Sequence, residues 1–188
     1  MLSKRIPGTS SRKNDEGYLT YMRPEGKSGG HGVGWSEIPR YAFDVPEGWT
    51  ETPVSIADLG GTEIDVRFAN RDQGSLAVVV APVLRFADVG FNASVTIEEL
   101  GSPEKIIQGF APELYGAPLS DGDVLDTQTE RKGTLTYYQW ELKPHRLVAA
   151  TAFRNRMFLI ALDAKGGQWR KASEALRHIQ RSFRVVEA

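Results

Sequence analysis

Apolar positions recur along this chain at two periods, two residues and three to four residues, and the change from one to the other predicts its elements. In "YAFDVPEGW", Tyr41, Phe43 and Val45 alternate with polar or small neighbours as far as Pro46-Glu47-Gly48. That predicts a strand closed by a turn, with Trp49 folding back on the core. In "TEIDVRFAN", Ile64, Val66 and Phe68 fall on one side and Glu63, Asp65 and Arg67 on the other, the pattern of a half-solvated strand. "SLAVVVAP" is apolar at nearly every position from Leu76 to Val80, as expected of a central strand covered on both faces, until Pro82 denies a ladder hydrogen bond.

Helical signals come next. Ser102 as N-cap, Pro103 at the first helical position and Glu104 near the positive end start a helix whose Ile106, Ile107 and Phe110 share a face, and Gly109 and Pro112 are expected to keep it short. The runs "DVLDTQTERKG", "TLTYYQWELK" and the two halves of "LVAATAFRNRMFLIALDA" predict a four-strand meander. Trp169, Ala172, Leu176, Ile179 and Phe183, spaced by three and four, predict an amphipathic helix lying on the sheet. Within "TYYQWEL", alternation sends Tyr138, Trp140 and Leu142 to one side, beneath a helix, and Tyr137, Gln139 and Glu141 to the other, which leaves Tyr137 as the ring available for surface contact. A base-stacking platform needs basic residues interleaved with rings on one exposed face, so nucleic acid is not an expected partner.

Residues 1–40 are rich in Gly, Ser, Pro and Lys/Arg with no sustained period, and are expected to be a flexible, extended basic arm before a domain spanning 41–188. The 188 residues suit one core, and no stretch approaches the ~18–20 apolar residues of a membrane span. "MLSKRIPGTSSRKNDEG" lacks the apolar centre of a secretion signal, so if the chain is exported, its address is expected to have been removed before Met1. With no cysteine, disulfides, thiolate metal sites and cysteine nucleophiles are excluded. The net charge of −1 hides an uneven layout, with seven Lys/Arg against four Asp/Glu in residues 1–40, four against sixteen in 41–130 and twelve against four in 131–188. An acidic middle followed by a basic last third suggests either oriented docking on a charged partner or halves that neutralise each other on folding.

Candidate chemistry is sparse. The glycines of "GGHGVGW" neither follow a buried strand nor open a helix, so they predict a hinge rather than a phosphate cradle. Asp121, Asp123 and Asp126 lack the glycine and glutamate of a calcium loop and predict a solvated turn, with weak calcium binding as the alternative. His31, His145 and His178 match no zinc spacing and no catalytic context, and no catalytic or metal-ligating residue is assigned. The expected contact residues are basic. They are Lys143, His145 and Arg146 in the loop "KPHR", Arg154 and Arg156 in the turn "RNR", and Lys4, Arg5, Arg12 and Lys13 of the arm.

In order along the chain, "FDVPEGW", "IEELGSPEKII", "GTLTYYQWEL", "LVAATAFRNRMFLIALDA" and "QWRKASEALRHIQRSF" resemble the PsbP family over about residues 41–186. The resemblance implies an α+β fold, an α/β/α sandwich around a central antiparallel sheet. It also implies residence in the chloroplast thylakoid lumen after a cleaved transit peptide, and a non-enzymatic role as an extrinsic protein beside the photosystems. The family's founding member caps the oxygen-evolving side of photosystem II and helps retain calcium and chloride. The arm of this chain does not match the segment with which that member engages photosystem II. The expectation is therefore an auxiliary, stabilising or assembly factor for photosystem II or I. Such a protein is peripheral to the membrane, monomeric when free, without a cofactor, and binds lumenal photosystem subunits. The alternative is a small-molecule or calcium-binding lumenal protein, a hydrolase included, with a pocket between sheet and helix.

Overall fold

A computed structural model of the chain describes residues 8–25, 38–54, 63–87 and 94–187. In chain order its strands are β1 (Leu19–Met22), β2 (Tyr41–Val45), β3 (Thr50–Thr52), β4 (Ile64–Asn70), β5 (Gly74–Pro82), β6 (Val124–Lys132), β7 (Leu135–Leu142), β8 (Arg146–Phe153), β9 (Arg156–Asp163) and β10 (Arg184–Val185). The helices are α1 (Ile97–Leu100), α2 (Pro103–Tyr115) and α3 (Gly166–Ser182). Seven strands form one antiparallel sheet in the order β3-β4-β5-β9-β8-β7-β6, and a smaller antiparallel sheet runs β1-β2-β10. The meander predicted from residue 124 onward is β6 to β9.

Each face of the large sheet carries its own apolar layer. On one side α1 and α2 bring Ile97, Leu100, Ile106, Ile107 and Phe110 against Tyr138, Trp140, Leu142 and Leu159. On the other, α3 and the small sheet bring Leu176, Ile179, Tyr41 and Phe43 against Phe68, Val78, Phe158 and Ile160. Ser102 Oγ accepts from the Lys105 N–H at 3.3 Å and starts α2 as its sequence requires. The helix does not end at Gly109 or Pro112 but continues to Tyr115. Pro112 sits on its exposed side, and Gly116 at φ 77° stops it.

Three expectations are corrected here. Tyr137 is not a surface ring. It is 1% exposed, because the second face of β7 is covered too, and its hydroxyl accepts from the Val185 N–H of β10 at 2.8 Å. Burial pushes that hydroxyl's pKa up. Tyr138 and Trp140 do lie beneath the helices, with the Tyr138 hydroxyl donating to the Gly101 carbonyl at 2.9 Å.

The second correction concerns β4, whose register shifts between Ile64 and Val66. The shift breaks the alternation. Ile64 packs with the α1–α2 layer while Val66 and Phe68 face the other side, and the Asp65 side chain turns inward instead of to solvent.

The third concerns the segment expected to be a flexible arm, of which residues 8–25 are a hairpin built into the fold. Thr9 bridges Tyr21, the Ser10 N–H donates to the Thr20 carbonyl at 2.8 Å, and β1 pairs with β2 over four residues. Gly8 permits the close approach, since at φ 87° a Cβ there would stand 2.5 Å from the Met22 carbonyl oxygen. Arg23 then reaches Asp65 through Nε at 3.0 Å, with side chains 2% and 4% exposed, and the Tyr41 hydroxyl donates to the same carboxylate. Burial, reinforced by the Asp65 charge, holds the Tyr41 hydroxyl protonated far above its usual range. Lys4, Arg5 and the "GGHGVGW" segment lie outside the described residues.

Removing one partner of a buried charge pair strands the other. Arg23→Ala is therefore expected to lower the unfolding free energy by about 3–5 kcal/mol, read from the urea midpoint. Lys13→Ala, which breaks the exposed 3.0 Å pair with Glu47, should change it by less than about 1 kcal/mol. Equal effects of the two substitutions would contradict the assignment.

Candidate functional site at the cationic end of the sheet

The pairing register places three connections at one end of the large sheet. Asn70 pairs with Gly74 across the β4–β5 turn, Leu142 with Arg146 across the β7–β8 turn, and Asp163, where β9 leads to α3, pairs with both Ser75 and Arg146. Cross-links tie them together. The Ala164 N–H donates to the His145 carbonyl at 3.1 Å, Gln168 Nε2 donates to the Arg71 carbonyl at 3.1 Å, and the His145 ring stacks on Trp169 at 5.2 Å.

This end gathers Arg71 from the β4–β5 turn, Lys143 from the β7–β8 turn, Lys165 before α3, and Arg170 and Lys171 from the first turns of α3. Arg71, Lys165, Arg170 and Lys171 line one shallow depression. All five side chains are exposed and stand outside every ion pair found among the described residues. Nearby, Asp163 is already engaged by Arg146 at 3.9 Å. Asp72 lines the same depression, and the Asp121–Asp123 turn approaches the Lys143 side, where the Lys143 N–H donates to the Asp123 carbonyl at 2.8 Å.

Lys165 occupies the N-cap of α3, where the free N–H groups and the helix dipole concentrate positive charge and an acceptor side chain is favoured. Lysine has no acceptor. The Gln168 side chain substitutes in part by accepting from the Lys165 N–H at 2.8 Å. The first turn of α3 carries no acidic residue, so the helix adds to the positive field of this end.

The structure brings together some of the residues expected from sequence and separates others. Lys143, His145 and Arg146 belong to the cationic end, where Arg146 lies half-buried with its guanidinium 4.1 Å over the Tyr115 ring. Arg12 is exposed, and Lys13 reaches Glu47, next to the Gly48 whose carbonyl accepts from Asn70 at 3.1 Å, so the hairpin approaches the same end. Arg154 and Arg156 are at the opposite end, because β8 runs eight residues between the two turns, about 25 Å at the strand rise. There the Arg154 and Asn155 carbonyls accept from the Val95 and Val83 N–H groups, anchoring the residue that follows β5 and the segment that leads into α1. The two basic tips therefore lie at opposite ends of the sheet. Arg71, Lys165, Arg170 and Lys171 were missed, because "QWRK" reads only as the polar side of an amphipathic helix and "NRDQG" only as a turn.

A second feature is a cavity of about 200 Å³ between the end of α2 and the sheet, lined by Phe110, Glu113, Tyr115, Arg67, Ala77 and Ala161 among others. The Tyr115 hydroxyl is buried without a hydrogen-bond partner among the described residues, and burial raises its pKa. Beside it Arg85 clamps both Glu63 and Glu113; burial raises the Glu63 pKa and the neighbouring Glu113 pushes the same way, against the pull of Arg85. None of Tyr137, His145 or Asp121 to Asp126 lines this cavity. Asp123 instead accepts from the Ser120 N–H at 2.7 Å and Asp126 from Gln128 at 3.0 Å. Among the described residues no group of three His, Asp or Glu side chains could hold a metal ion, and no helix is long and apolar enough to cross a membrane.

An antiparallel sheet covered by helices on both faces is an α/β/α sandwich, and five exposed cations gather at one end of it. The PsbP family model matches residues 36–185, and the chain belongs to the PsbP family. It is 50% identical over 187 residues to PsbP domain-containing protein 4, chloroplastic, of Arabidopsis thaliana, covering 99% of this chain and 71% of that protein. It is 25% identical over 151 residues to the Thylakoid lumenal 19 kDa protein, chloroplastic, of the same plant, covering 79% of this chain and 62% of that one. The solution structure of cyanobacterial PsbP (CyanoP) from Synechocystis sp. PCC 6803 superposes with a TM-score of 0.58 at 20% identity, over 89% of this chain and 92% of that one, and shows the same fold. These relatives place the chain in the chloroplast thylakoid lumen.

Replacing a cation at an N-cap by an acceptor favours the helix while weakening the cationic end. Lys165→Asp is expected to raise the unfolding free energy by about 0.5–1.5 kcal/mol in urea denaturation. A destabilised variant would show that the lysine is there for α3 itself.

Proposed function

We propose that this chain is a non-catalytic extrinsic protein of the lumen that docks through its cationic end onto acidic lumenal surfaces of photosystem subunits, as an auxiliary, stabilising or assembly factor. The observation that carries this reading is the cluster of Arg71, Lys143, Lys165, Arg170 and Lys171, exposed and outside the ion pairs of the described residues, beside the positive terminus of α3. Family membership supports a photosystem as the partner and lumenal residence supports peripheral contact. Exposed charge of one sign steers encounter and orients docking, and it is screened as the Debye length falls from ~10 Å at 0.1 M salt to ~3 Å at 1 M.

A second reading, a small-molecule or calcium site, is favoured by the Tyr115 hydroxyl beside the α2 cavity, which has no hydrogen-bond partner among the described residues. Calcium or a small carboxylic acid bound there would shift the Tyr115 and Phe110 ring resonances. Unchanged resonances at millimolar ligand would remove this reading.

The docking reading is tested by co-migration with solubilised photosystem complexes on native gels. Binding is expected at low salt and lost at high salt. Lys143→Glu, Lys165→Glu and Lys171→Glu together should weaken it about tenfold or more. Arg131→Glu with Arg154→Glu, exposed at the opposite end, should leave it unchanged. Equal loss from both sets, or binding indifferent to salt, would defeat the proposal.

A further inference from the structure

We propose that His178 is a proton-operated clasp that fastens the tip of the N-terminal hairpin to α3 and β2. This goes beyond the docking reading and does not depend on it.

The hairpin tip is organised by one side chain. Asn14 Oδ1 accepts from the N–H groups of Glu16 and Tyr18, each at 3.0 Å, and the Gly17 N–H donates to the Asn14 carbonyl at 3.0 Å. The turn so formed delivers two groups to His178. Glu16 Oε2 stands 3.3 Å from Nδ1, and the Tyr18 ring lies flat on the imidazole, with centroids 4.0 Å apart and planes at 9°. From the opposite direction Asp44 Oδ2 of β2 stands 2.8 Å from Nε2. The imidazole is thus held between two carboxylates, with 20% of its side chain exposed.

A neutral imidazole carries one N–H and one lone pair, so in either tautomer one of these carboxylates must face a lone pair. An imidazolium donates at both nitrogens and bridges hairpin, helix and strand at once. Which contact is surrendered on deprotonation follows from the surroundings. Asp44 keeps other donors, Asn14 Nδ2 and Thr20 Oγ1 at 3.1 Å each, with the Arg184 guanidinium at 3.6 Å. Glu16 is largely exposed, and His178 is the partner its carboxylate meets. The neutral ring therefore keeps its hydrogen on Nε2 for Asp44 and lets Glu16 go, loosening the tip.

The charged groups facing this ring are Glu16 and Tyr18 from the hairpin, Asp44 from β2, Arg184 from β10, and Glu174, Arg177 and Arg181 from α3, the last three lining the same depression as His178. Arg177 is drawn away to Glu141 of β7, and burial keeps the Tyr18 hydroxyl protonated, so Tyr18 brings no charge near neutral pH. The two groups in contact with the ring nitrogens are both anionic. The clasp is therefore closed where the imidazole is protonated and opens where it is neutral. The tip lines one open depression together with Lys171 and Asp72, so its release alters the flank of the cationic end.

The test is amide hydrogen exchange of the intact chain, corrected for intrinsic rates, at about pH 5.5 and about pH 7.5, below and above the imidazole range but above that of ordinary carboxylates. Protection of the Glu16, Gly17 and Tyr18 amides is expected to fall at least about threefold at the higher pH, with core strands unchanged. His178→Gln should remove that difference. So should Glu16→Gln, an exposed substitution that leaves the fold intact and keeps the test valid if the histidine variant is destabilised. Protection independent of pH in the unmodified chain, or a pH dependence that survives Glu16→Gln, would overturn the proposal.

Discussion

The buried contact of Arg23 with Asp65 and the Tyr41 hydroxyl joins three elements that sequence separates widely, β1's trailing residue, β2 and β4. Apolar layers are non-directional, and the small sheet could slide over Phe68, Val78 and Phe158 with little change in buried area. A guanidinium and a carboxylate withdrawn from water cannot slide, because displacement leaves each desolvated and unpaired. We regard this contact as the device that sets where the small sheet lies and keeps residues 8–25 in the fold. Once that register holds, β10 can pair with β2, the Tyr137 hydroxyl meets the Val185 N–H, and α3 packs beside the small sheet on the same face of the large one.

Apolar coverage of both faces of the large sheet then decides what is left for recognition. Rings that a single-layered sheet would expose are consumed as core: Tyr21, Tyr41 and Tyr137 on one side, Tyr138 and Trp140 on the other. The outer rim is polar, and charge is distributed by topology. Antiparallel connection alternates the turns between two ends, so the β4–β5 and β7–β8 turns and the start of α3 collect at one of them. A lysine at the N-cap of α3 supplies no acceptor to the free N–H groups there, and it stands beside four other cations.

Much of the fold was legible in residue order. Period-two alternation located β2, β4, β7 and the meander; Ser102 and Pro103 located the start of α2; spacings of three and four located α3. Less of the site was legible. Lys143, His145 and Arg146 were expected as partner contacts because they share one basic loop, whereas Arg71, Lys165, Arg170 and Lys171 come from turns and helix faces whose polar residues look like ordinary solvated surface. Arg154 and Arg156 seemed to belong with them only because chain order is silent on which end of a sheet a turn occupies. Residues 8–25 read as part of an arm because β1 is four residues long and borrows its burial from elements far along the chain.

By itself, then, the sequence determined local conformation: where strands alternate, where a helix is capped, which side chains are apolar enough to seek cover. Those properties depend on neighbours within a few positions and are written in short-range periodicity and capping chemistry. Tertiary structure alone decided that Tyr137 is covered, that a slipped register in β4 turns Asp65 inward to Arg23, that Glu16 and Asp44 flank His178, and that five cations share one end. Each of these is a meeting of groups remote in the chain. Burial on a second face and encounter between distant charges are properties of how layers are stacked, and no window along a single strand contains them.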